Sequence, residues 1–302
     1  MAASPRSVAI LGLGLIGGSL ARALARAGGW HVVAWDRSSA GPARALAEGT
    51  IQGIAPDAMS ASVAAHLVVL AVPVPASLEL IALIGRSVVA AGGVLTDVGS
   101  TKTPVMAAAD RIADLRFVGG HPMSGREAAG YDAAQATLFD GRPWVLVPGP
   151  ASRPADLALL EAMVEACGAV PVRLDAAAHD RAVAAISHLP LVVSVALASA
   201  AMRGDDWPTA QRLAAQGWRD MTRLARGAPG MGAGMLATNA PAVAERLRAY
   251  RAELEAWQER LDALAASASD SASGDGATDD AELVARLAEI ARGLEGPAGE
   301  GP

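Results

Sequence analysis

Gly12-Leu13-Gly14-Leu15-Ile16-Gly17 stands between an apolar run at residues 8–11 and a stretch of helical period that reaches Ala27. A strand that turns through G-x-G-x-x-G into a helix reads as the first βαβ unit of a dinucleotide-binding sheet. The glycines permit the tight turn, let backbone approach a pyrophosphate, and allow helix to pack closely on strand; the helix N-terminus offers unpaired N–H groups to the anion. Such a motif is weak by itself and gains force from its register. A second apolar run, residues 31–35, ends in Asp36, about 20 residues downstream, where a carboxylate accepts hydrogen bonds from ribose hydroxyls and repels a 2′-phosphate. These residues point to NAD in preference to NADP, with Gly12, Gly14, Leu15, Ile16, Gly17 and Asp36 in the binding set. Arg37, beside that carboxylate, leaves some tolerance for NADP, and Val72 and Pro73 close a later apolar run on the cofactor side.

Apolar runs at 8–11, 31–35, 67–71, 93–96, 117–119, 144–148 and 169–173 alternate with helical stretches beginning near Gly17, Ala40, Pro75, Thr103 and Arg153. This alternation is that of successive βαβ units, so the expected class is α/β, a Rossmann-type doubly wound and mostly parallel sheet. Beyond Leu174 the strand signal stops, and helical periods run over 176–202, 207–226 and 240–265. The expected organisation is a nucleotide-binding domain over 1–174, an all-helical substrate and dimerisation domain over 175–266, and a tail over 267–302 holding a Ser/Asp/Gly-rich flexible linker and one short helix at 281–294. Hydrophobic residues make up 52% of the 302 and charged residues 19%, which excludes disorder for most of the chain. No run approaches the ~18 uninterrupted apolar residues of a membrane span. The first residues leave no room for a signal peptide, and the single cysteine, Cys167, excludes an intramolecular disulfide. A soluble protein of the reducing cytoplasm is expected. With a net charge of −6 and no basic block, nucleic acid has no electrostatic footprint, and a small-molecule substrate is favoured.

Ligands of open α/β sheets bind at the carboxyl ends of the strands, and two segments fall there: Asp97-Val98-Gly99-Ser100-Thr101-Lys102 and Gly120-His121-Pro122-Met123-Ser124-Gly125-Arg126-Glu127. They offer a hydroxyl, an ammonium, an imidazole and a carboxylate. Dehydrogenation of an alcohol needs a group that accepts the hydroxyl proton as hydride leaves carbon, and neutral imidazole suits that at pH 7. His121 is the candidate. Ser100 is placed either to hydrogen-bond His121 or the substrate hydroxyl, or simply to cap a helix. Lys102 is the only lysine among 25 basic residues, so its presence inside a motif suggests need, here as a substrate contact. In the helical part Arg223 is suited to clamp a carboxylate, although spacing does not separate it from Arg219.

Taken in order, GLGLIGGSLA (12–21), DVGSTK (97–102), GGHPMSGREAAG (119–130), ISHLPL (186–191) and RDMTRLA (219–225) resemble the prephenate/arogenate dehydrogenase family of tyrosine biosynthesis. The resemblance spans residues 7–265. It implies NAD-dependent oxidative decarboxylation of a cyclohexadienol, with His121 accepting the hydrogen bond of the C4 hydroxyl and Ser100 beside it. It also implies that Arg223 binds a substrate carboxylate, Glu127 lines the pocket, His188 lies near the ring end, and the helical domain makes a homodimer. Two departures bear on the substrate. Leu191 stands where many members carry a second histidine, and Ala228-Pro229-Gly230-Met231-Gly232 replaces a stretch that ends in tryptophan. Arogenate-preferring members look similar at both places, so prephenate and arogenate are both expected substrates.

A β-hydroxyacid dehydrogenase or imine reductase shares the two-domain plan but leans on a lysine or an equivalent acid in the second domain, which here has no lysine. A non-catalytic NAD sensor would not need His121 together with Arg223. His31, His66 and His179 read as structural, His179 opening a helix beside Asp180, and the absence of partners at ligand spacing gives no metal site.

Overall fold

A computed structural model of the chain describes residues 6–126, 128–270 and 277–295. Eight strands form one sheet: β1 (Arg6–Leu11), β2 (Trp30–Trp35), β3 (Gly53–Ile54), β4 (Leu67–Leu70), β5 (Val94–Asp97), β6 (Phe117–Pro122), β7 (Pro143–Pro148) and β8 (Val170–Arg173). Their order is β3-β2-β1-β4-β5-β6-β7-β8, parallel throughout except that β7 runs antiparallel to β6. Around the sheet lie α1 (Leu15–Ala27), α2 (Ala40–Ala47), α3 (Ala58–Val63), α4 (Val74–Ala90), α5 (Thr103–Ala109) and α6 (Pro154–Ala166).

Strand alternation divides the core in two. Val8 and Ile10 face one side with Leu20, Leu24, Leu160 and Met163, while Ala9 and Leu11 face the other with Ile81, Ile84, Val105 and Phe117. Such strands, buried on both faces, read as continuous apolar runs, which is why they were visible in sequence. Cys167 is buried, its thiol pKa pushed up to about 12 by that burial, and it packs as the small apolar residue expected. The sequence reading missed β3, whose two residues give no periodicity, and α3, which is announced only by the Asp57 carboxylate capping Ser60 N–H at 2.7 Å.

The remaining helices are α7 (Ala176–Val183), a π-helical turn (Ala184–His188), α8 (Leu189–Met202), α9 (Trp207–Leu213), α10 (Gln216–Met221), a 3-10 turn (Leu224–Arg226), α11 (Pro229–Thr238), α12 (Ala240–Asp270) and α13 (Ala277–Leu294). The expected single helix over 207–226 is therefore three short pieces, the first break falling where Ala214 and Ala215 are extended. Two compact units divide the chain, the first ending at Ala244 and the second beginning at Glu245. Of the expected linker, residues 271–276 lie outside the described residues.

The segment Ala176–Met202 is long and apolar enough to cross a membrane by length and composition. It carries His179, Asp180 and Arg181 at one end, and only 22% of its most apolar window is buried. Val195, Leu197 and Met202 on α8 are exposed.

Candidate active site

At the first turn, Gly12 has φ +100° and donates its N–H to the Trp35 carbonyl at 2.8 Å. A Cβ on Gly12 would lie 2.4 Å from the Ala71 carbonyl oxygen, and one on Gly17 would lie 1.9 Å from the Gly12 oxygen. The turn is thus closed to side chains underneath. Above it the geometry reverses, since a Cβ on Gly14 would meet nothing within 4 Å. Gly14 is the N-cap of α1 and supplies no side-chain cap, so no N-cap side chain competes with an anion for the first N–H groups of the helix. Asp36 sits just past β2. Its two oxygens accept the N–H groups of Leu13 (2.6 Å) and Ser38 (2.9 Å), which leaves a carboxylate with acceptor capacity for ribose hydroxyls. Arg37 is exposed, and Val72 and Pro73 lie between β4 and α4 beside the turn.

Three strands along the same edge from the glycine turn, β6 runs on past the end of β5: the parallel pairing stops at Thr96 and Val118. Two side chains continue the ladder. Asp97 Oδ1 accepts the Gly120 N–H at 3.1 Å, and Lys102 Nζ donates to the Gly120 carbonyl at 2.6 Å. The ammonium also meets Asp97 Oδ2 at 2.5 Å, both side chains being fully buried. Burial lowers the lysine pKa, an effect Asp97 partly offsets. Lys102 was expected to touch substrate, and the structure corrects this. Its Nζ is enclosed by Asp97 and the backbone of Gly120, where it fixes the strand that carries the next residue, His121.

His121 is half-buried, and its Nδ1 lies 2.8 Å from His179 Nε2. His179 Nδ1 lies 2.8 Å from Asp180 Oδ1. Asp180 also accepts the N–H groups of Lys102 and Thr103, each at 2.8 Å, and so occupies the start of α5 where Ser100 had been considered as a cap. Burial would raise the Asp180 pKa, but the hydrogen bonds from His179, Thr103 and Lys102 prevail and bring it to about 2. Burial, followed by the charges of Lys102, His179 and His188, holds His121 well below the ordinary histidine value, with Asp180 pulling the other way. His188, fully buried on the π turn, pairs through Nδ1 with Asn239 Nδ2 at 3.0 Å, and its Nε2 has no partner among the described residues. Burial lowers its pKa to about 4.

The structure therefore brings His121, His179, Asp180, Lys102 and Asp97 into one hydrogen-bonded cluster. Ser100 is half-buried three residues before α5, and no hydrogen bond joins it to His121 among the described residues. Arg223 is exposed between α10 and the 3-10 turn, and Glu127 lies outside the described residues. Sequence reasoning missed Asp97 and Asn239, and it set His179 aside as the opening of a helix. A signal was present: an adjacent His-Asp pair at one end of an otherwise apolar helical run is costly unless both find partners.

Comparison with known proteins matches residues 20–173 to the nucleotide-binding domain of prephenate dehydrogenase and residues 175–271 to its dimerization domain. The prephenate dehydrogenase of Bacillus subtilis is 32% identical over 253 residues, 82% of this chain and 68% of that protein. The cyclohexadienyl dehydrogenase of Zymomonas mobilis is 31% identical over 255 residues, 83% of this chain and 86% of that protein. Among solved structures, the arogenate dehydrogenase of Synechocystis is 31% identical with a TM-score of 0.72, covering 96% of this chain and 98% of the other.

Proposed function

Because the chain belongs to the prephenate dehydrogenase family, we propose that it is a cytoplasmic, NAD-dependent dehydrogenase that oxidatively decarboxylates prephenate, arogenate or both, on the path to tyrosine. The observation that carries this reading is His121. It sits past the end of β5 with its Nδ1 engaged by His179 and with no hydrogen bond to its Nε2 among the described residues, on the sheet edge that also holds the glycine turn. Gly12, Gly14, Leu15, Ile16 and Gly17 would cradle the pyrophosphate, Asp36 and Arg37 the ribose, and Val72 and Pro73 the flank of the cofactor.

When bound, NAD supplies the hydride acceptor for C4 of the ring. His121 accepts the C4 hydroxyl proton at Nε2, so the O–H bonding pair becomes the carbonyl as the hydride departs. The dienone then draws the electron pair of the ring carboxylate bond, CO₂ leaves, and the ring becomes aromatic. Little is asked of the protein at that stage beyond orientation. Arg223 would hold a substrate carboxylate, Ser100 would meet the substrate hydroxyl, and His188 and Glu127 would border the ring.

Residues 1–174 would be the nucleotide-binding domain and 175–266 the substrate and dimerisation domain, with 267–302 an appendage. The exposed Val195, Leu197 and Met202 of α8 would be covered by a second copy. The test is NADH formation at 340 nm with prephenate and arogenate offered in parallel. Turnover with either supports the reaction, and the ratio sets the substrate. No turnover with either, despite NAD binding, overturns it.

A further inference from the structure

We propose that His179 and Asp180 are positioning residues that fix His121 as the tautomer with its proton on Nδ1 and its lone pair on Nε2. This rests on the proposed role of His121, and its direction is forced from the far end. Two backbone N–H groups, those of Lys102 and Thr103, point at the Asp180 carboxylate. An ionised carboxylate accepts only, so His179 Nδ1 must donate across the 2.8 Å to Oδ1. In a neutral imidazole the other nitrogen is then an acceptor, which makes His179 Nε2 the acceptor in its 2.8 Å bond to His121 Nδ1. His121 Nδ1 therefore carries the proton, and Nε2 keeps the lone pair that proton abstraction needs. A buried carboxylate sets a catalytic imidazole by the same logic in serine hydrolases; here a second imidazole is interposed, and it extends the reach of the carboxylate by one ring.

The arrangement also answers an electrostatic need. When Nε2 takes the hydroxyl proton, His121 becomes a cation. The groups facing it are Lys102 at the start of α5, Asp97 at the end of β5, His179 and Asp180 on α7, and His188 on the π turn. Asp97 is already matched to Lys102, so Asp180, acting through the polarised His179, is the anion available to the new charge.

Two arms test this. The first needs no substrate: long-range ¹H–¹⁵N spectra of the protein with ¹⁵N-labelled histidine, His121 being assigned against His121→Asn among five histidines. The expected spectrum shows His121 and His179 both protonated on Nδ1. A proton on His121 Nε2, or an imidazolium at His179 near pH 7, overturns the proposal. The second arm measures kcat, KM, the NAD Kd and the acid limb of kcat/KM. His179→Leu removes the acceptor and is expected to lower kcat by ~10²-fold or more, whereas His179→Gln, whose amide can accept from His121 and donate to Asp180, stays within about tenfold of the wild type. Asp180→Asn lowers kcat, and by removing the anion it moves the acid limb to lower pH, while the NAD Kd holds. Equal losses in His179→Gln and His179→Leu, or wild-type kcat in His179→Leu, overturn the proposal. Wild-type protein that turns over neither substrate overturns the proposed reaction, and the spectra still decide the tautomer.

Discussion

The glycine turn and the His121 cluster occupy the same edge of one sheet and are built from different materials. The turn is backbone: three glycines, a helix N-terminus and no side-chain cap, all within Gly12–Gly17. The cluster is side chain: a buried ion pair and a line of two imidazoles and a carboxylate, joining residues 58 apart in sequence. A backbone site is held by sterics, insensitive to pH and, at Gly12 and Gly17, intolerant of an added side chain. A side-chain site is held by charge and hydrogen bonds that must all be present together, and it fails when one member is removed or protonated.

The sharpest test of that contrast is His121→Asn, which should lower kcat by ~10²–10⁴ and leave the NAD Kd unchanged; a matched loss of NAD affinity would merge the two sites into one. Next comes Lys102→Met. It strands a fully buried Asp97 without its counter-ion and should cost about 3–5 kcal/mol in urea unfolding. A neutral result would mean that Asp97 takes up a proton and the clamp on Gly120 survives without charge.

Acid should attack the cluster and spare the turn. Folded His188 protonates at about 4 against an ordinary value of 6.5, so between those pH values the unfolded chain binds more protons and stability falls as pH drops. The loss is roughly 3 kcal/mol across the window, and His121, also depressed, adds to it in the same direction. Asp180 acts lower: its contribution is present above the ordinary carboxylate range and is lost only as pH falls toward about 2. Urea midpoints at pH 7 and pH 4.5, compared with those of His188→Gln, read the His188 share; a variant with undiminished acid sensitivity would remove it. The smallest effect on stability is expected at the turn. Gly17→Ala places a methyl 1.9 Å from the Gly12 oxygen, costs about 1–3 kcal/mol, and should weaken NAD at least tenfold in titration, because the N–H groups lose their aim.

The same division explains what could be read from the chain before folding it. The strands carry their signal in consecutive residues, as Val8 to Leu11 and Leu67 to Leu70 do, and the glycine turn carries its signal within six. His121 was legible because a lone imidazole in a Gly/Pro-rich strand end has few structural uses. Its partners were not. Nothing in Lys102 distinguishes a lysine that reaches substrate from one that completes a strand ladder, because the end of β5 relative to β6 is set by tertiary pairing. His179 and Asp180 looked like ordinary helix-start polar residues, and only the packing of α7 against the start of α5 gives them opposite numbers.

That enclosed ammonium also turns the protein into its own reporter. Lys102 is the sole lysine side chain, and it has no solvent-accessible surface. An amine-reactive reagent should therefore modify it only when the sheet edge opens. The rate at which a single mass increment appears on the peptide containing Lys102 would count those openings directly, and its slowing on addition of nucleotide or substrate would measure how much each ligand holds the edge shut.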